Sequence, residues 1–193
     1  MKLLTIMVVD YKMIRIISDR LLIRDHIEED LNTMHELLSS EKTMFYLPEI
    51  RTKNLNESKE NLQIAIDEAS STNRSKFFFA ITDRFTNSYI GEIGLTKLNE
   101  NKYGNVIDLG YFIKEIFWGK GIVTEASKTV INYAFENLNT IKIETGCIED
   151  NKGSERVMIK LGMIKEIDYK RQIVLHTQLY DRVKYRLFKE EWK

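Results

Sequence analysis

The run that most constrains the fold is Glu115 to Ala126, Glu-Ile-Phe-Trp-Gly-Lys-Gly-Ile-Val-Thr-Glu-Ala, where two glycines join an apolar stretch to an amphipathic helix. Gly119 and Gly121 reach backbone angles closed to other residues and let a ligand approach the main chain. The helix behind them starts with amides that have no intrahelical partner. Those N–H groups and the helix dipole favour an anion, most often a phosphate, and Lys120 adds a mobile positive charge. The nucleotide patterns do not fit: a P-loop needs Ser or Thr where Gly121 follows Lys120, and the dinucleotide fingerprint needs a third glycine where Thr124 stands. From the glycines alone, an anion site and a plain surface turn before a helix stay equally open.

The chain of 193 residues is long enough for one domain with a sizeable core, and no linker-like stretch divides it. Residues 1–18 precede the first clear strand and form an extension to which no role is assigned. Its apolar segment Leu3 to Val9 ends at Asp10 and is too short to span a bilayer, so no membrane partner is expected. With 29 basic and 29 acidic residues the net charge is zero, which excludes nucleic-acid binding by bulk charge. The one cysteine, Cys147, cannot form an internal disulfide and reads as a small buried side chain, which fits a reducing, cytoplasmic setting.

Hydrophobic spacing predicts a strand over Arg20–Arg24 and a helix over Glu28–Ser40 with Asp25 or a neighbour as its cap. A loop follows whose Phe45 and Tyr46 either line a pocket or cover the core. A second helix runs over Asn56–Ser70. Lys76–Thr82, Tyr89–Leu98 and Val106–Lys114 read as an antiparallel meander, with a turn from Asn99 to Asn105. A helix over Gly121–Asn137, a strand over Ile141–Cys147, a helix over Asn151–Leu161 and further strands complete an α/β (α+β) chain. Its architecture is a mixed sheet with helices on both faces. His35 lacks a metal-ligand partner one turn on, and His176 reads as a surface residue of a hairpin.

Asp108 stands among Val106, Ile107, Leu109, Tyr111 and Phe112, where burial of a carboxylate without a partner is costly. Burial raises its pKa and makes it a better base near neutral pH; a carboxylate at a sheet edge, or tied to a nearby Lys or Arg, is the competing reading. Glu92, between Gly91 and Gly94, is a second candidate. Asn151 is a good helix cap, Ser154 follows within the first turn, and Gly162 closes that helix. Two helix N-termini then sit at the ends of neighbouring strands, where an open sheet binds ligands.

These stretches carry a resemblance. Trp118 to Ala126, Asn151-Lys152-Gly153-Ser154 and Lys160-Leu161-Gly162-Met163 resemble the GNAT superfamily of acyl-CoA-dependent N-acyltransferases. Arg20 to Arg24, Ile90 to Gly94 and Leu109-Gly110-Tyr111 are similar to its RimJ/RimL-type branch. The resemblance implies a mostly antiparallel central sheet of about seven strands, with acetyl-CoA as co-substrate and no metal. The amides of Gly119, Lys120, Gly121, Ile122, Val123 and Thr124 would hold the coenzyme A pyrophosphate. Tyr111, Phe112 and Ile113 would pair through their backbone with the pantetheine arm, where one strand splays from the next. Asn151 would hydrogen-bond that arm and Ser154 would approach the thiol sulfur.

The expected reaction is direct acetyl transfer to a primary amine, a small molecule or a protein N-terminus, in a ternary complex. Asp108 removes the ammonium proton, the Ile113 N–H stabilises the oxyanion, and Ser154 or water returns a proton to the thiolate. Two positions depart from the family pattern. Met158 stands where many members carry a tyrosine acid, and Val123 where the loop often has a smaller residue. Glu49, beside Phe45 and Tyr46, suits an amine with an apolar neighbour. A homodimer is a further expectation of the resemblance, and a non-catalytic acyl-CoA-binding sensor with the same fold is the alternative function.

Overall fold

The computed structural model describes residues 13–193, so the Leu3–Val9 run lies outside the described residues. The elements are β1 (Arg15–Ile17), β2 (Leu21–Asp25), α1 (Leu31–Ser39), α2 (Leu55–Ser70), β3 (Lys76–Asp83), β4 (Tyr89–Asn101), β5 (Gly104–Ile113), α3 (Ile122–Asn137), β6 (Thr140–Ile148), α4 (Lys152–Lys160), β7 (Ile164–Leu175) and β8 (Gln178–Phe188). They build one sheet in the order β1-β2-β3-β4-β5-β6-β8-β7. Every pairing is antiparallel except β5 with β6.

Among the described residues the sheet has eight strands, in keeping with the mostly antiparallel mixed sheet of about seven that was expected. The additional one, β1, comes from the segment read as an extension: Arg15, Ile16 and Ile17 pair with Arg24, Ile23 and Leu22. Asp25 does not cap α1. Its carboxylate accepts from the Ile14 amide at 2.8 Å and from Arg74 at 2.7 Å, and a 3-10 turn over Glu28–Asp30 leads into the helix instead. The β4–β5 turn is tighter than expected, because Lys97 to Asn101 continue the ladder, through a register shift at Leu98, until Asn101 pairs with Gly104. The Asn101 side chain closes that turn by accepting from the Tyr103 amide at 2.8 Å.

Alternation along the strands feeds two hydrophobic layers. Phe79, Ile81, Leu95, Ile107 and Leu109 pack with Ala126, Val130 and Ile131 of α3 and Met158 of α4 on one face. Ala80 and Tyr89 pack with Met34, Leu37 and Leu38 of α1 and Leu62 of α2 on the other. Among the described residues no helix is long and apolar enough to cross a membrane.

What positions the site is a divergence of two strands. β5 and β6 pair in parallel only from Asn105 with Thr140 to Asp108 with Glu144. Beyond that point β5 stays with β4 and β6 stays with β8, and a gap opens. Gly91 permits the close β4–β5 approach at the mouth of this gap, since a Cβ there would lie 2.5 Å from the Phe112 carbonyl oxygen.

Candidate active site

The gap carries free backbone groups of a strand. The Lys114 amide donates to the Ile90 carbonyl at 2.9 Å, so by the two-residue alternation the backbone of Phe112 also faces β4. The N–H and C=O groups of Tyr111 and Ile113 therefore face the gap. The Leu109 carbonyl, two residues earlier on the same side, accepts from the Thr145 hydroxyl of β6 at 2.7 Å. Of the three residues expected to pair through their backbone, Phe112 is corrected: it lines the cleft from its place on β5, while its amide belongs to the β4 ladder. The Ile113 carbonyl accepts from the Trp118 indole N–H at 3.0 Å, which anchors the glycine turn to the strand end.

That turn has the geometry its glycines suggested. Gly119 and Gly121 take φ of +73° and +75°, and Gly121 stands as the N-cap of α3 without a capping side chain. The first amides of α3, at Ile122, Val123 and Thr124, have no side-chain partner at the cap and open onto a cavity of about 630 Å³. The cavity wall includes Gly119, Gly121, Ile122, Val123 and Thr124 but not Lys120, whose ammonium lies 5.6 Å from the centre of the Phe117 ring. The positive charge in the wall comes instead from Lys42, Lys152, Arg156 and Lys160. Lys42 is paired with Glu115 and Lys152 with Glu155, whereas Arg156 and Lys160 have no ion pair among the described residues. Lys152 and Lys160 stand inside the stretches that carry the resemblance, but none of these four basic residues has a sequence pattern of its own that marks a phosphate contact.

A brace holds the turn in place. Glu125, in the first turn of α3, accepts from the Ser18 hydroxyl at 2.7 Å and pairs with Arg20 at 2.6 Å. Arg20 also donates to the Lys120 carbonyl at 3.2 Å. Burial alone would raise the Glu125 pKa, but these hydrogen bonds and the Arg20 charge hold it below the usual carboxylate range.

On the opposite side of the cleft, α4 begins at Asn151, whose Oδ1 accepts from the Ser154 amide at 3.1 Å. The Ser154 hydroxyl lies 3.0 Å from the Tyr111 phenol oxygen. Burial pushes the Tyr111 phenol well above its ordinary range, and the Ser154 hydrogen bond opposes that rise. Met158 is fully buried in the core beneath α4 and lines neither cavity.

A second cavity of about 270 Å³ adjoins the first and shares Tyr46, Leu47, Tyr111, Phe112, Asn151 and Ser154 with it. Tyr46 crosses between them: its hydroxyl donates to the Asp150 carbonyl at 3.3 Å, tying the loop after α1 to the turn before α4. That loop is held from outside by His176 at the β7–β8 turn, whose ring lies 4.8 Å from that of Phe45. Asp108 is in this second cavity, with Ile50, Thr145, Cys147 and Arg182. Burial raises its pKa, the nearby Lys184 and Arg182 charges oppose the rise, and Glu144 adds to it. Neither cation is within ion-pair distance, so Asp108 is a half-buried carboxylate facing a cavity rather than one member of a salt bridge.

Glu92 is elsewhere. It is buried on the α1 side, accepts from the Tyr89 hydroxyl at 2.9 Å, and lines neither cavity. Glu49 lines neither cavity either; the apolar Leu47 and Ile50 around it do. Cys147 borders the second cavity with its thiol pushed up to about 11 by burial, which leaves it a poor nucleophile.

Among known proteins, the family described as "Acetyltransferase (GNAT) domain" matches residues 20–164. The chain is similar to YnaD, an uncharacterised N-acetyltransferase of Bacillus subtilis (strain 168), with 28% identity over 179 residues, 92% of this chain and 98% of that one. Its fold is similar to that of RimL, a ribosomal L7/L12 α-N-protein acetyltransferase in complex with coenzyme A, at a TM-score of 0.79 and 18% identity, covering 93% and 99% of the two chains. It is also similar to a spermidine N-acetyltransferase of Vibrio cholerae in complex with CoA and spermine, at a TM-score of 0.78 and 18% identity, covering 90% and 98%. At these identities the two solved structures speak for the fold alone.

Proposed function

The chain belongs to the GNAT acetyltransferase family, and on that premise we propose that it transfers the acetyl group of acetyl-CoA to a primary amine by direct attack in a ternary complex. The observation that carries this reading is the junction of the two cavities. One has an anion-receptive turn and surplus positive charge, the other has a raised-pKa carboxylate, and they meet at Tyr111 and Ser154. The amides of Gly119, Gly121, Ile122, Val123 and Thr124 receive the pyrophosphate, and Arg156 and Lys160 meet the remaining phosphate charge. The pantetheine arm lies in the strand gap against the amides of Tyr111 and Ile113 and the free amide end of Asn151.

Asp108, directly or through one water, takes the proton of the incoming ammonium. The amine nitrogen then bonds to the thioester carbon, and the Ile113 N–H faces the oxygen that gains charge. As the carbon–sulfur bond breaks, the attacking nitrogen gives up its second proton, and the hydrogen-bonded Tyr111 and Ser154 hydroxyls relay a proton to the departing thiolate, so that the amide and the thiol leave neutral and neither hydroxyl is left ionised. The phenol supplies the proton-donating group that Met158 does not. Replacing Tyr111 by Phe is expected to lower kcat about tenfold to a hundredfold with KM for acetyl-CoA changed little. Steady-state kinetics check this, and an unchanged kcat would assign the proton to Ser154 or water.

The acceptor classes in play are protein N-termini, as for RimL, and small amines. Thiol release from acetyl-CoA against a panel of N-terminal peptides, amino acids and polyamines, with calorimetric acetyl-CoA titration alongside, tests the reading. Amine-dependent thiol release is the expected result. Tight acetyl-CoA binding with no turnover on any amine would favour a binding module, and absence of binding would overturn the cofactor assignment.

A further inference from the structure

Several basic side chains of β6, β7 and β8, the strands at this end of the sheet, are neutralised by carboxylates. Lys142 contacts Glu144 at 2.7 Å and Glu166 at 3.0 Å, and Lys184 lies 3.9 Å from Glu144. Arg186 pairs with Glu191, and Lys170 with Asp168 and Asp181. Arg182, the basic residue in the wall of the second cavity, is half-buried and makes no side-chain hydrogen bond or ion pair with any described residue. Its cross-strand neighbours are Ile148 on β6 and Tyr169 on β7, and neither offers a carboxylate. Its Nε lies 3.6 Å from the position a Cβ on Gly146 would take, so the side chain runs over the bare backbone of β6. A guanidinium held this way, partly desolvated and near Asp108 but outside ion-pair distance of it, presents a forked donor set that matches a carboxylate or phosphate.

We infer that Arg182 selects the acceptor: the substrate is a primary amine that carries an anionic group close to its nitrogen, the amine set against Asp108 and the anion against Arg182. The inference deepens the transferase reading and rests on it. The cavity, about 270 Å³, holds roughly nine waters' worth of ligand, enough for an amino acid or the first residues of a peptide. Leu47, Ile50 and Phe112 supply an apolar wall for the portion between the two charges. A polyamine would instead place a second ammonium against the guanidinium.

The anion can be the α-carboxylate of a free amino acid or an acidic second residue of a peptide, and paired probes separate these sources. Alanine is compared with alaninamide, and a peptide with Asp at its second position with the Asn counterpart, spermidine being the cationic control. The wild-type protein is expected to favour the anionic member of at least one pair by about tenfold or more in kcat/KM. Whichever pair responds identifies the source. In Arg182→Gln the preference falls toward unity through a rise in KM for the anionic member, and Arg182→Lys restores part of it. Equal use of both members of both pairs, a preference that survives Arg182→Gln, or efficient acetylation of spermidine would overturn the inference. Calorimetric titration of the same pairs into the coenzyme A complex reads the preference without turnover. A selective binder that releases no thiol would therefore refute the transferase reading while leaving Arg182 in its role.

Discussion

Replacing Asp108 by Asn is expected to lower kcat about a hundredfold to ten-thousandfold while the calorimetric affinity for acetyl-CoA stays within about twofold. The separation follows from where the residue sits: Asp108 lines the second cavity and is absent from the wall of the first. The pH profile gives an independent check. A general base works deprotonated, so kcat/KM rises with pH through the Asp108 pKa. Burial raises that pKa, only partly offset by Lys184 and Arg182. The acid limb of the wild-type profile therefore falls at higher pH than an ordinary carboxylate would give, and it disappears in the Asn variant. An acid limb that persists in Asp108→Asn would assign the proton to another group or to bulk water. Glu92 is poorly placed to be that group, because its carboxylate is enclosed beneath α1 with the Tyr89 hydroxyl.

The parts of this site legible in the sequence are those where backbone geometry leaves a residue signature. Gly119 and Gly121 were readable because their φ values, +73° and +75°, are costly for other residues, and Asn151 because a helix start needs a side-chain acceptor. The strand periodicity also gave the two-layer fold, since Phe79 and Ala80 feed opposite layers. Interactions between residues distant in the chain left no such mark. Arg20 and Ser18 brace the glycine turn through Glu125 across more than a hundred residues, and His176 supports the loop that carries Tyr46. The tyrosine next to Ser154 was legible as a strand residue, but its phenol became relevant only when the strand splay brought β5 and α4 together. β1 was missed for a different reason. Three residues with an exposed-intermediate-exposed pattern are too short for period-two alternation to register.

The largest stability effect is expected at Asp30, which is remote from the chemistry but sets the acceptor wall. Its two oxygens each lie 2.7 Å from a nitrogen of Arg24, one also accepts from the Ile27 amide at 3.0 Å, and both side chains are nearly inaccessible to solvent. Removing one partner of a buried pair leaves the other charge without compensation, so Asp30→Ala is expected to cost about 3–5 kcal/mol, read as a fall in the urea midpoint at pH 7. Burial opposes ionisation of this carboxyl, but the Arg24, His26 and Ile27 contacts prevail and hold its pKa well below the usual range. A depressed folded pKa contributes stability that is complete above the unfolded value of about 3.9 and is lost as pH falls toward the folded one. The gap between wild type and Asp30→Ala should therefore be constant from pH 7 to pH 5 and narrow below about pH 4. A gap under about 1 kcal/mol at pH 7 would reduce the pair to the worth of a surface salt bridge. Because Asp30 fixes the entry to α1, and the loop after α1 carries Tyr46 and Leu47 to the junction of the cavities, conditional variants at this position should lose acceptor binding before acetyl-CoA binding as denaturant is raised.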